Sequence, residues 1–195
     1  MSNIISRSLI LLRNKFSTIM EYKLKSTNWE PDIPKLVSDI PNYMQGIFTW
    51  KQDPLWGLCD YIQPIGYMNW QLENNRHIYG DCDDYAQYIA RILYRLNYRI
   101  LLRVNMLDKK HVILAFMEND KGFSVFSNSN YITNNNTNAD QAIIYYCDQD
   151  SLSKISAGRK LTIQEAKDFV IENRSTNYVV EPLIWNGKNM VVRKK

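Results

Sequence analysis

The sequence is poor in the residues that most often carry chemistry. It has three cysteines and two histidines in 195 residues. Cys59, Cys82 and Cys147 are an odd and sparse set, so they build no disulfide framework, and no Cys-x-x-Cys pair suggests zinc. A reducing compartment fits this usage. Long apolar runs are missing too. Leu9-Ile10-Leu11-Leu12 is too short to span a bilayer, is bracketed by Arg7 and Arg13, and precedes no small-residue cleavage site. No signal peptide is expected. The expected product is soluble and cytoplasmic or host-cytoplasmic, with association with a virus particle left open. There is no internal repeat, no coiled-coil heptad and no RNA or DNA motif.

Charge is nearly balanced, at +4 from 24 basic and 20 acidic side chains. The excess is local. Arg7, Arg13, Lys15, Lys23 and Lys25 face only Glu21, and Lys188, Arg193, Lys194 and Lys195 mark the other end. Such clusters read as solvated termini, and an acidic partner surface or nucleic acid, the latter on charge alone, is the competing reading. Thirteen tyrosines and five tryptophans argue against disorder, and a 45% hydrophobic fraction supports a real core. Abundant Asn, Ile, Tyr and Lys suggest an AT-rich genome, such as a low-GC bacterium or its phage.

Hydrophobic period divides the chain. Residues 1–30 read as an N-terminal unit with a basic amphipathic helix from about Ser2 to Leu24, and Trp29 to Pro34 as a turn-rich joint. Ile33 to Phe48 reads as mostly helical with an interruption at Pro41, and Trp50 to Trp70 as a long aromatic loop. A helix is expected from Cys82 to about Asn97. Strands are expected at about Arg99 to Met106, His111 to Met117 and Phe123 to Phe126, with turns at Leu107–Lys110 and Asn119–Gly122. Tyr131 to Asp140 reads as an Asn/Thr-rich loop, and Ala142 to Cys147 as a fourth strand. A capping box at Thr162-Ile163-Gln164-Glu165 opens a helix to about Asn173. Short strands are expected at Tyr178–Ile184 and Met190–Val192. The class is α+β, with a helix packed on an antiparallel sheet in residues 31–150 and a C-terminal helix and short strands, 151–195, packed on that core.

The densest chemistry lies in Gly80-Asp81-Cys82-Asp83-Asp84-Tyr85-Ala86. From Cys82, apolar or small residues recur at Tyr85, Ala86, Ile89, Ile92, Leu93 and Leu96, which is helical spacing. Asp83, Asp84, Gln87, Arg91 and Arg95 fall on the opposite, wet face. Asp81 is a good N-cap, so Cys82 sits at the helix start, where the dipole favours thiolate. The carboxylates oppose that, so a reactive thiolate needs a cationic partner. His77 reads as a solvated loop residue. His111, opening a strand, is the expected base. Cys59 and Cys147 read as structural or incidental.

Gly-Asp-Cys-Asp-Asp-Tyr-Ala, then a helix, then a strand carrying Lys-His-Val-Ile-Leu-Ala, resembles the transglutaminase-like superfamily. It is similar in particular to the bacterial cysteine-proteinase branch, whose hallmark is Gly-Asp-Cys-(Glu/Asp)-Asp-(Tyr/Phe)-Ala. The resemblance covers Phe48 to Asn130 and implies a papain-like core with an N-terminal helical extension. It makes Cys82 the nucleophile and His111 the general base and acid. The family's third member is an Asp followed by Asn on the next strand. Here Ser127 stands at the Asp position and Asn128 matches the Asn. If Asn119–Gly122 is the turn, Glu118 pairs with Phe123 and Asn128 shares His111's face; one bulge puts Ser127 there instead. The Cys82 backbone N–H is one oxyanion donor, and the Trp50 indole or the amide of Gln63 or Gln71 is a candidate second. Phe48-Thr49-Trp50 is similar to the family's upstream tryptophan segment, although core packing competes for Trp50. Asp81, Asp83 and Asp84 read first as cap and dipole partners, then as groups that position the helix. By resemblance, calcium on Asp81 and Asp83 is a third reading, without EF-hand spacing to support it. The reaction itself requires no cofactor.

The implied function is a cysteine peptidase or amidase acting on protein or peptide. Crosslinking by the same site is a lesser option. A non-catalytic binding or structural module, of phage origin for example, is the alternative.

Overall fold

The computed structural model describes residues 20–52, 62–118, 122–136, 138–153, 163–173 and 175–193. Most of the expected N-terminal helix, Cys59, Thr162 and residues 119–121 of the expected turn lie outside them. Among the described residues no helix is long and apolar enough to cross a membrane.

The chain is α+β. A short 3-10 turn at Val37–Asp39 leads into helix α1 (Ile40–Ile47) and strand β1 (Phe48–Trp50). Helix α2 (Ile65–Asn75), β2 (Ile78–Gly80) and α3 (Cys82–Arg95) follow. Next come β3 (Leu101–Met106), β4 (His111–Met117), β5 (Phe123–Ser127) and β6 (Asn130–Asn136). Helices α4 (Ala139–Ser153) and α5 (Ile163–Asn173) precede β7 (Tyr178–Trp185) and β8 (Met190–Val192). Six strands form one antiparallel sheet in the order β6-β5-β4-β3-β7-β8. The C-terminal strands expected to pack on the core therefore belong to its sheet.

Strand alternation splits the core in two. Leu101, Leu114, Phe116 and Phe126 face α3, where Tyr88, Ile89, Ile92 and Leu93 are buried. Val104, Ile113, Ala115 and Val125 face the other way, against Ala142, Ile143, Tyr146 and Cys147 of α4. That second set corrects the expected strand at Ala142–Cys147. Its spacing of one, three and one is a helical stripe, and Asn138 starts the helix by accepting from the Gln141 N–H at 2.9 Å. The Asn/Thr-rich stretch is a strand instead. Tyr131 stacks on Phe126 at 4.9 Å on one face, while Ile132 joins the core of the other. Two apolar side chains on opposite faces are enough to seat a polar edge strand.

Pro41 does not interrupt a helix. It occupies the first turn of α1, where its missing N–H forfeits no helical bond. The expected aromatic loop also ends early, because α2 starts at Ile65.

The expected wet face of α3 is largely buried. Asp83, Asp84 and Gln87 are 4%, 0% and 5% exposed. Gln87 donates to the Met190 carbonyl at 2.9 Å, so β8 covers this side of the helix. Arg91 and Arg95 reach Glu30, and Arg91 lies over Trp185 at 3.8 Å. Asp84 accepts from the Gln63 backbone N–H at 2.7 Å and from Gln63 Nε2 at 2.5 Å. Gln63 Nε2 also donates to the Tyr79 carbonyl at 2.7 Å. Gln71 donates to Gln63 Oε1 at 2.5 Å and accepts from the Tyr79 N–H at 3.0 Å.

This network explains Gly80. A Cβ there would lie 2.4 Å from Asp84 Oδ2 and 2.7 Å from Asp84 Cβ. Gly80→Ala is predicted to cost about 1–3 kcal/mol through overpacking. Urea unfolding should show a lower midpoint with an unchanged slope; an unchanged midpoint would contradict the packing argument.

Candidate active site

β1 and β2 pair in parallel, Trp50 opposite Gly80, which brings Trp50 beside the start of α3. Asp81 caps that helix by accepting from the Asp83 N–H at 3.3 Å. Cys82 is therefore its first residue, as the motif predicts. The site lies at the end of the large sheet, where the two cores meet. Cys82 arrives from the first face and Tyr146 of α4 from the second. Both line a cavity of about 1060 Å³ together with Trp50, His111, Ser127 and Asp150.

Ser127, and not Asn128, holds His111. Ser127 Oγ is 3.0 Å from His111 Nε2. The β4–β5 register explains it, because Met117 and not Glu118 pairs with Phe123. Glu118 continues this register, its N–H donating to the Gly122 carbonyl at 2.8 Å, while its carboxylate accepts from Ser124 Oγ at 2.9 Å and from the Tyr131 hydroxyl. The pairing therefore slips by one residue from the expected one, and Ser127 takes His111's face. Asn128 is exposed in the two-residue turn to β6, at a left-handed φ of 49° that Asn tolerates. It lines the cavity, while Ser127 is the residue bonded to the histidine. Ser127 in turn donates to the Tyr146 hydroxyl at 3.0 Å. With its proton so used, Ser127 Oγ has lone pairs to offer an Nε2–H of His111.

The electrostatics differ from the expected thiolate. Burial pushes the Cys82 thiol up to about 11. A hydrogen bond from the Val112 backbone opposes this, Asp81 and Asp83 add to it, and the Cys82 backbone N–H opposes it. The Val112 group is available because β4–β5 pairing stops at Leu114 and Phe126. Burial also lowers the His111 pKa from its ordinary 6.5; Asp150 raises it and Lys109 lowers it. Burial thus favours the neutral form of both groups, thiol and imidazole.

Of the three oxyanion candidates, only Trp50 lines the cavity, and it is 62% exposed instead of packed in the core. Gln63 and Gln71 lie in the Asp84 network. Both Nε2 donors of Gln63 are committed there, and Gln71 bridges Gln63 and Tyr79. His77 is half-buried near Tyr79 and away from the cavity. Cys147 is fully buried in the second core. Carboxylate oxygens of Asp81, Asp83 and Asp84 lie within 4.8 Å of one another. Capping and the Gln63 bonds account for Asp81 and Asp84, whereas calcium takes roughly six to eight oxygen ligands.

Tyr146, Lys109 and Asp150 escaped the sequence reading. Lys109 and Asp150 form an ion pair at the rim of the cavity. The stripe of Ala142, Ile143, Tyr146 and Cys147 was the available signal, since it places Tyr146 on the buried face of a helix. Comparison with family models, curated proteins and solved structures found no match to this chain.

Because His111 takes up a proton less readily when folded, the unfolded chain binds more protons as pH falls through about 6.5. Its contribution to stability is present above that pH and lost below it. Between about pH 7 and about pH 5, wild type should therefore lose more unfolding free energy than His111→Gln. Equal losses in urea titrations would refute the burial argument.

Proposed function

We propose that this chain is a cysteine-dependent amide hydrolase of transglutaminase-like, papain-like type, acting on protein or peptide. The observation that carries the reading is a helix-start cysteine and a Ser127-bound histidine lining one open cavity. His111 Nδ1 takes the Cys82 proton as Sγ attacks the amide carbonyl. His111 then returns the proton to the leaving amine, and the C–N bond breaks to give a thioester. Water, deprotonated by the same imidazole, hydrolyses the thioester and regenerates the thiol. The Cys82 backbone N–H and the Trp50 indole are the oxyanion donors, the first aided by the helix dipole. An amine in place of water would give crosslinking. No cofactor enters these steps; calcium on Asp81 and Asp83 would act on the motif helix and not on the reacting atoms.

The second reading is a non-catalytic module that keeps the fold for binding. The uncharged Cys82–His111 pair and the serine in place of an acid favour it.

Thiol probes separate the two. Iodoacetamide should modify Cys82 well ahead of Cys59 and Cys147, and His111→Ala should remove that lead. Peptide hydrolysis should vanish in Cys82→Ala and fall by about 10²–10⁴-fold in His111→Ala. Equal labelling of the three thiols, with no cleavage of a peptide library, would sink the hydrolase.

A further inference from the structure

Within the hydrolase reading, one group remains to be assigned. His111 needs something to fix its tautomer, and the group at Nε2 is the Ser127 hydroxyl. Asp150, whose charge acts on His111, pairs with Lys109. What reaches Nε2 is a chain of two hydroxyls, Ser127 at 3.0 Å and Tyr146 a further 3.0 Å on. Both residues are only 6% exposed.

We propose that Tyr146 is a positioning residue for the Cys82–His111 pair. Acting through Ser127, it holds His111 as the Nε2–H tautomer with Nδ1 free to take the thiol proton. The argument is one of proton counting. Ser127 has a single O–H. While Tyr146 accepts it, Ser127 can only accept from His111, so the Nε2 proton stays and Nδ1 is basic. Remove the tyrosine hydroxyl and the serine proton turns to Nε2, which reverses the tautomer and leaves Nδ1–H facing away from base duty. When Cys82 gives up its proton, the imidazolium keeps its Nε2–H on Ser127, so no hydroxyl has to reorient. The two hydroxyls add dipoles and no net charge, so they orient the imidazole without forming an ion pair at rest. The other charged groups of the site are Lys109, Lys110 and Asp150 at the cavity, with Asp81 and Asp83 beside Cys82.

Two histidines make the test clean, because His77→Gln assigns the second imidazole. Nitrogen-15 NMR of the full chain at about pH 7.5, above the ordinary histidine range, should show His111 mainly as Nε2–H. In Tyr146→Phe the ring stays in place, the Nδ1–H form should become dominant, and iodoacetamide modification of Cys82 should slow by about tenfold or more. Ser127→Ala should abolish the Nε2–H preference independently, which covers the case of a misfolded Tyr146 variant. A wild-type Nδ1–H tautomer would overturn the proposal. So would folded variants that keep Nε2–H and an unchanged Cys82 rate. These readings need no substrate, so a protein without peptidase activity would refute the hydrolase while the tautomers still judge the relay.

Discussion

Asp84 is a carboxylate with no exposed surface, two residues into the helix that Cys82 begins. Burying such a charge is costly unless it is hydrogen-bonded. Gln63 supplies two donors, one from its backbone and one from its side chain, and charge-assisted bonds of this kind are the strong ones. The same Gln63 amide also reaches Tyr79, and Gln71 closes the circuit from Gln63 back to Tyr79. β2, the residues before α2 and the first turn of α3 thus form one hydrogen-bonded unit. Gly80 completes it, since nothing larger fits under Asp84. The position of Cys82 follows from this unit. So does that of Trp50, which β2 holds through the parallel pair with β1.

The crowd of acids around the cysteine is therefore two different things. Asp84 is an anchor and is not among the causes of the raised thiol pKa. Asp81 and Asp83 do raise it, but less than burial does. A cationic histidine would be one way to resolve the repulsion. The folded protein resolves it by leaving the thiol protonated and the imidazole neutral, both driven by burial at the sheet's end. The Val112 backbone hydrogen bond and the Cys82 N–H then stabilise negative charge on sulfur only when a proton leaves.

Local signals were legible in the sequence and cross-strand ones were not. The helix at Cys82 and the strands at His111–Met117 and Phe123 onward fall where their periods put them. The pairing between those strands hung on one residue. Whether Phe123 faces Met117 or Glu118 decides whether Ser127 or Asn128 shares His111's face, and alternation within each strand fits both pairings. Asp84 and Gln87 look like a solvated face because their covers, Gln63 and β8, are distant in sequence. Ala142 to Cys147 is a short apolar run of the kind that fits either a strand or a buried helix. Misreading it hid Tyr146, and with it the outer half of the histidine's support.

The placement of α4 also bears on why a serine is tolerated where the resemblance expects an acid. A carboxylate at position 127 would be almost fully buried between His111 and Tyr146. Its field would add to that of Asp150, which already acts on His111, and Lys109 is paired with Asp150. With a second carboxylate beside Asp150 acting on one imidazole, the protonated histidine would be favoured. A hydroxyl at 127 orients the ring without adding charge. The polarity of this site is thus set by α4: with Asp150 on that helix already in range of the histidine, the neighbouring strand can present a neutral partner.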